Sequence, residues 1–413
     1  MKPSSLSRGA ATRALLSLAI GSFGIGMTEF VAMGLLPDIA QDLLPGLWAQ
    51  NPDEAIGRAG ILVSLYALGV VLGAPTIAGL VARFPRHRVM LGLAIALTLG
   101  NGLAVVLPTF ETVGLARFIA GLPHGAYFGI GALVAADVLG PGKRAKGVAF
   151  ILTGLTIANV VGVPLGTFLG QHFGWRIAFL LVTIVFALAS VCIAFFVPQH
   201  AGDPGRTFRA ELRVFRRPQV WFALATGAIG FGGFFALYSY VAPLVTDRAG
   251  APQWMVPITL VVFGLGMTLG NLLAGHFADR NLRLTLLYGM GGLAVLLALL
   301  AVLSFSIWLL VPLAFLMAAL SSVLGVSIQT RLMEVAGDNQ SIAAALNHSS
   351  LNIGNSLGAF LGGLVIAWGW GFAAPSWVGA GLAVIGLGIA LASYAVQRRF
   401  HTETGSVRVR DLV

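Results

Sequence analysis

The sequence predicts an all-α integral membrane protein: twelve transmembrane helices in two six-helix bundles related by a pseudo-two-fold axis along the membrane normal. Three observations predict it. Of 413 residues, 57% are hydrophobic and only 10% charged, with mean hydropathy +0.90. A soluble domain averages about 25% charged residues, and its interior could not hold so much apolar surface. The apolar runs last about 20 residues or more, the length of a helix that crosses the hydrocarbon core; a β-barrel would instead alternate polar and apolar over ~10 residues. Finally, the two halves of the chain repeat.

In order, the spans are predicted at about 13–38, 55–82, 88–107, 111–138, 144–170, 175–197, 218–245, 253–278, 283–304, 307–334, 339–368 and 374–396. Several are longer than a bilayer requires, which implies tilt or kinks. Pro75, Pro123 and Pro164 are the expected kink points. The first apolar run follows Lys2, Arg8 and Arg13. It exceeds a signal-peptide core and has no A-x-A site after it, so it is read as a retained first helix. The single cysteine, Cys192, lies in span 6 and excludes an internal disulfide.

The net charge of +10 is a topology signal rather than a nucleic-acid footprint. Of the 25 Lys and Arg, only Arg58, Arg176 and Arg248 fall on one side of the spans, and Arg117 lies inside one; the rest fall on the other side, with the termini. The positive-inside rule then puts both termini in the cytoplasm. The only long polar break, 198–217, sits on that side too. It separates a first bundle (1–197) from a second (218–397) and a cytoplasmic tail (398–413). This break is a tether between bundles or, over 206–217, an amphipathic helix on the inner leaflet.

The repeat is visible in three blocks. At an offset of 206, Gly21, Gly24, Gly26 and Pro37 fall on Gly227, Gly230, Gly232 and Pro243; at 197, Gly69, Gly73, Arg83 and Arg86 fall on Gly266, Gly270, Arg280 and Arg283. At 196, Ile157, Asn159, Gly162, Leu165 and Gly166 fall on Ile353, Asn355, Gly358, Leu361 and Gly362. Both halves start on the same side, so the repeat is parallel. Two-bundle transporters of this kind bind substrate near the midplane and rock around it.

Span 1 carries one carboxylate, Glu29, in the apolar stretch GSFGIGMTEFVAMGLLP (21–37). An ionised acid at that depth needs a partner, water or a proton, which marks it as a working residue. Arg117 in span 4 lies at a comparable depth, roughly 9 Å from the outer end against roughly 13 Å for Glu29. Burial favours the neutral acid and a nearby guanidinium favours the carboxylate, so a Glu29–Arg117 pair is poised to exchange a proton. The alternative is a static ion pair locking the first bundle. His124, after Pro123, is either a proton relay or a neutral hydrogen-bonding residue. An enzyme is not expected: there are seven histidines but no H-E-x-x-H and no Walker motif. No metal, cofactor or nucleic-acid partner is implied, and no charged ring or filter repeat suggests a channel.

The segments GMTEFVAMGLLPDIA (26–40), YALGVVLGAP (66–75), RFIAGLPHGAYFGIGALVA (117–135), GLTIANVVGVPLGTFLG (154–170), GWRIAF (174–179) and GNLLAGHFADR (270–280) carry a family resemblance. The chain resembles the major facilitator superfamily over nearly its whole length, and within it the arabinose-efflux-permease-like branch of the drug:proton antiporters. The resemblance implies proton-coupled efflux of small amphiphiles such as drugs, sugars or nucleoside-like compounds, and a role in multidrug resistance. An uncoupled or symport-type facilitator is the alternative. The partners are a small-molecule substrate, protons and the bilayer, and a monomer is expected. Arg117 matches the span-4 arginine that similar antiporters associate with proton coupling.

In such a fold spans 1, 4, 7 and 10 line the cavity, with 2, 5, 8 and 11 beside them. This makes Tyr66, Tyr127, Asn159, Phe231, Phe235, Tyr238, Gln329, His348, Asn352 and Asn355 candidate cavity residues, with Asn101 and Asn271 further polar candidates. A cavity of aromatics and amides with one acid suits a neutral or weakly cationic amphiphile. The pattern Gly275, Asp279, Arg280, Arg283 resembles the family's gating loop. Its first-half counterpart keeps Arg83 and Arg86 but has Ala78 and Ala82 in place of Gly and Asp. Asp279 is expected to cap a helix or pair with arginines. Gly154, Gly162, Pro164, Gly166 and Gly170 approximate an exporter-type glycine–proline pattern in span 5.

Overall fold

The computed structural model describes residues 7–81, 84–140, 144–199, 216–337 and 340–408. The linker segment 200–215 and Arg83 lie outside the described residues. Among the described residues there is no strand, and 11 helices are long and apolar enough to cross a membrane. One of them, Met255–Leu303, has 49 residues. At 1.5 Å per residue it would be about 73 Å long, twice what a bilayer takes. It breaks at Asn281, whose extended backbone (φ −163°, ψ 90°) separates spans 8 and 9. The Asn281 side chain accepts from the Leu284 N–H at 3.0 Å and caps the ninth span. The count is therefore twelve, broken between the predicted 253–278 and 283–304.

Arg86–Val106, Phe110–Leu139, Trp175–Phe196, Ile307–Ala336 and Gln340–Ala367 follow the prediction as continuous helices. Span 2, predicted as one helix over 55–82, is divided at Gly60 into Pro52–Ala59 and Ile61–Val81. Three others depart from regularity. Span 1 is α-helical over Arg8–Phe30, tightens to a 3₁₀ turn at Val31–Leu35 and restarts as Leu36–Leu43. It does not run unbroken to 38, because Pro37 suits the first turn of a new helix. Span 5 loosens to a π turn at Ala158–Gly162 immediately before Pro164, and span 7 does so at Thr226–Gly230. Pro75 and Pro123 sit inside continuous helices. The last helix, Ala374–Arg408, carries span 12 on into the predicted tail.

The surface is apolar where a soluble protein would be polar: Val106, Phe195, Leu272 and Trp308 are 72–84% exposed. Such side chains face acyl chains, while the buried backbone is satisfied within the helices.

The halves close on each other at the end opposite the termini. A Cβ added at Gly57 would lie 2.5 Å from the Gly363 carbonyl oxygen, and one at Gly264 only 2.4 Å from that of Asn159. Only glycine permits backbone to meet backbone so closely. Beside these, Ser64 Oγ donates to the Ser356 carbonyl at 3.0 Å, and the Gln253 side chain hydrogen-bonds Asp38. Phe30 stacks on Phe235 at 6.4 Å and meets the edge of Tyr238 at 5.5 Å.

The same end carries a tie within the first half. Trp175 Nε1 donates to Asp42 at 3.0 Å, and Arg176 pairs with the same carboxylate. Burial pushes the Asp42 carboxyl up, but the donors from Arg176 and Trp175 outweigh it and hold it below its ordinary value. A lowered carboxylate contributes stability above its unfolded pKa, about 3.9, and loses it as pH falls through the lower folded value. Asp42→Asn should therefore cost about 0.2–1 kcal/mol at neutral pH, the range for an exposed pair. The gap from wild type should narrow as pH falls below about 3.9, as read by thermal unfolding in detergent.

Candidate functional site

The site begins where span 1 changes from α to 3₁₀ geometry. Successive side chains on a helix diverge by about 100°, so Thr28 and Glu29 point in different directions. Thr28 faces the interior of the first half. Its hydroxyl donates to Asn101 Oδ1, and Asn101 Nδ2 donates to the Leu97 carbonyl at 2.8 Å. Arg117, 1% exposed, donates to Thr28 Oγ1 at 2.9 Å and to the Thr28 carbonyl at 2.8 Å. Its guanidinium lies 4.2 Å from the Tyr66 ring centroid and 5.2 Å from that of Phe179. The charge is thus held by hydrogen bonds and aromatic faces.

Glu29 faces the other way, across the seam. It is 7% exposed, and its Oε1 accepts from Asn355 Nδ2 of span 11 at 3.2 Å. The expected Glu29–Arg117 ion pair is therefore not formed here. Arg117 grips the residue before Glu29 in its place, because the turn of the helix carries the two side chains apart. The link between them runs through the backbone of span 1.

A second string of polar groups extends from Arg117. Tyr66 Oη and His124 Nδ1 are 3.0 Å apart, and the His124 ring lies 5.5 Å from Phe128. Phe128 stacks parallel on His348 of span 11, with centroids 5.1 Å apart and planes within 3°. The halves thus meet at two further places, Glu29–Asn355 and Phe128–His348.

The structure divides the candidate cavity residues. Asn355, His348, Phe235 and Tyr238 contact the opposite half, and Asn159 does so through its backbone. Tyr66 and Tyr127 are held inside the first half, Tyr127 by donating to the Leu18 carbonyl at 3.1 Å. Phe231 packs on Phe234 and Phe235, Asn352 donates to the His348 carbonyl, and Gln329 is half-buried. Asn271 is exposed on the helix surface. Side-chain oxygens of Asn159, Asn352 and Asn355 are buried without a hydrogen-bond partner, the kind of group that water or a ligand satisfies. Thr28, the hub of the Arg117 contacts, carries no signal in the sequence except its place beside Glu29. Among the described residues no group of His, Cys, Asp and Glu could hold a metal ion.

The gating-loop residues part company as well. Arg86 pairs with Asp137 at the far end of span 4. Asp279 and Arg280 are exposed, and among the described residues Asp279 makes no ion pair. The helix cap expected of Asp279 is supplied by Asn281, which sits at the backbone break itself. Nothing meets a Cβ placed at Gly275. Arg283 turns toward Tyr394, 5.4 Å from its ring.

The chain matches the profile of the Major Facilitator Superfamily twice, over residues 18–264 and 249–409. It is 37% identical over 397 residues to the inner membrane transport protein YdhP of Escherichia coli K12, covering 94% of this chain and 97% of that protein. It is 30% identical over 380 residues to a chloramphenicol resistance protein of Streptomyces lividans, covering 91% and 95%. Among solved structures, a D-xylose–proton symporter superposes with TM-score 0.73 at 16% identity, covering 92% of this chain and 97% of the other.

Proposed function

Because this chain belongs to the Major Facilitator Superfamily and is a multi-pass membrane transporter, we propose that it exports small amphiphilic molecules in exchange for protons, by alternating access. It works as a monomer in the bacterial cytoplasmic membrane; the distribution of Lys and Arg supports both termini in the cytoplasm. The end closed by Gly57–Gly363 and Gly264–Asn159 is then the outer face, and the conformation is closed to the outside.

The observation that carries this reading is the position of Glu29. It is the buried acid at the seam, bonded to Asn355 of the opposite half. As a carboxylate it accepts the Asn355 N–H. A proton on Glu29 removes the charge and turns one oxygen into a donor, so the bond across the seam changes with protonation. Arg117 holds the Thr28 carbonyl, so a shift of span 1 must break or carry with it two charge-assisted hydrogen bonds.

Substrate binds from the cytoplasm or the inner leaflet while Glu29 is ionised. Outward opening releases it, and a proton taken from outside permits the return. The aromatic rings at the seam suit an apolar body, and the unpartnered amide oxygens suit its hydroxyl or amide donors. The Streptomyces relative named for chloramphenicol resistance supports a drug-like substrate.

The test is a susceptibility and accumulation panel in an efflux-deficient host. Wild type should lower accumulation of at least one amphiphile, an uncoupler should restore it, and Glu29→Gln should behave like the empty vector. Full resistance from Glu29→Gln would overturn the reading.

A further inference from the structure

The second half holds a charge arrangement that the first half lacks. At the offset of 197 that aligns Arg86 with Arg283, Asp137 aligns with Glu334. In the first half Arg86 and Asp137 form an ion pair and cancel. In the second, Glu334 is taken by Arg331, three residues before it, at 2.9 Å. The first half has Val134 at the Arg331 position and no competing cation there. Arg331 is 5% exposed and also donates to Gln397 at 2.6 Å and Gln219 at 3.3 Å.

Arg283 is thereby left without an ion pair among the described residues, and its Nε is buried with no hydrogen-bond partner. The guanidiniums of Arg283 and Arg331 lie 5.4 and 4.7 Å from the Tyr394 ring. The Tyr394 hydroxyl is itself buried and unpartnered. These groups line a cavity of about 590 Å³ at the termini end, together with Leu282, Gln397 and Arg398. Its walls carry three arginines and one glutamate.

We propose that this cavity in the second half binds a phosphate-bearing anion, with Arg283 and Tyr394 as its principal ligands and Arg331 as a fixed positive charge beside them. The Arg283 guanidinium fork matches two phosphate oxygens at once, and the Tyr394 O–H donates to a third. An anion here supplies what Asp137 supplies in the first half. The volume exceeds a bare phosphate and accommodates the group esterified to it. Such an anion has two sources, the headgroup of an anionic phospholipid in the adjoining leaflet or a soluble phosphate ester. The inference is independent of the substrate and proton chemistry proposed above.

The experiment uses the purified full-length protein. One arm measures thermal unfolding in neutral detergent with inorganic phosphate against chloride at equal ionic strength. The other uses native mass spectrometry to compare retention of phosphatidylglycerol with that of phosphatidylcholine. Binding in the first arm alone identifies a soluble anion, and binding in the second identifies a headgroup; either supports the site. Arg283→Gln should weaken binding roughly tenfold, and Tyr394→Phe roughly three- to tenfold. Arg331 is left intact because it also ties Gln219 and Gln397 together. No binding of either probe, or equal binding by wild type and both variants, would overturn the proposal.

Discussion

Arg117→Ala is expected to abolish transport and to destabilise the first half. The side chain is buried, its two terminal nitrogens are committed to Thr28, and two rings stack on its charge. Removing it leaves the Thr28 carbonyl without that donor and opens a cavity under Tyr66. A buried acceptor left without its donor and the cavity beside it together cost about 3–5 kcal/mol. Arg117→Lys separates the effects. It keeps the charge but has a single nitrogen and no fork, so it can serve the hydroxyl or the carbonyl, not both. One lost charge-assisted bond is worth about 1.5–3 kcal/mol, roughly a 10- to 150-fold drop in transport. Melting in detergent should show the lysine variant folded and the alanine variant weakened. Wild-type transport by either variant would show that span 1 does not depend on this grip.

The second large effect belongs to the outer seam. A Cβ at Gly363 would sit 2.4 Å from the Gly57 carbonyl oxygen and 2.4 Å from the Tyr240 hydroxyl. Tyr240 is itself fixed by donating to the Ala359 carbonyl at 2.6 Å. Gly363→Val therefore cannot be absorbed by a side-chain swing. Overpacking costs about 1–3 kcal/mol. The clash with Tyr240, in the same half, is felt in both states, whereas the clash with Gly57 falls only on the state in which the halves touch, so the outward-open population rises by up to about 150-fold. In a Cys192→Ala background, a cysteine at Ser356 should label faster from outside when Gly363→Val is present, and transport should fall. Gly381→Val, on span 12 with nothing within 4 Å of its Cβ, should change neither. Unchanged labelling would mean that this glycine contact is not the closure.

Most of the architecture was legible because bilayer thickness is a hard constraint on a sequence. Even the break at Asn281 was legible, from the polar stretch around Asp279–Arg283. Glu29 was legible for the same reason, as an acid with nowhere soluble to go. Its partner was not. Depth arguments place Glu29 and Arg117 on one level but carry no information on azimuth, and one step along the α-helix from Thr28 to Glu29 turns the side chain by about 100°. Hence Asn355, one of several amides in span 11, proved to be the contact, with Thr28 in the role expected of Glu29. Asn271 was misjudged for a related reason, since a polar residue among apolar neighbours gives no sign of which face it occupies. Glycines that the repeat singles out, such as Gly69, Gly162 and Gly166, pack within the first half, whereas the seam glycines Gly57, Gly264 and Gly363 fall outside the repeated blocks. The competition of Arg331 for Glu334 appears only when three dimensions show which acid each arginine reaches.

The central claim is that one proton exchanges on Glu29 as the halves rock. The direct measurement adds a transported substrate to proteoliposomes and follows proton movement with an entrapped pH dye, alongside substrate binding to the same protein. Wild type should move protons against substrate. Glu29→Gln should still bind substrate and move none. Proton movement by Glu29→Gln at the wild-type ratio would contradict the account.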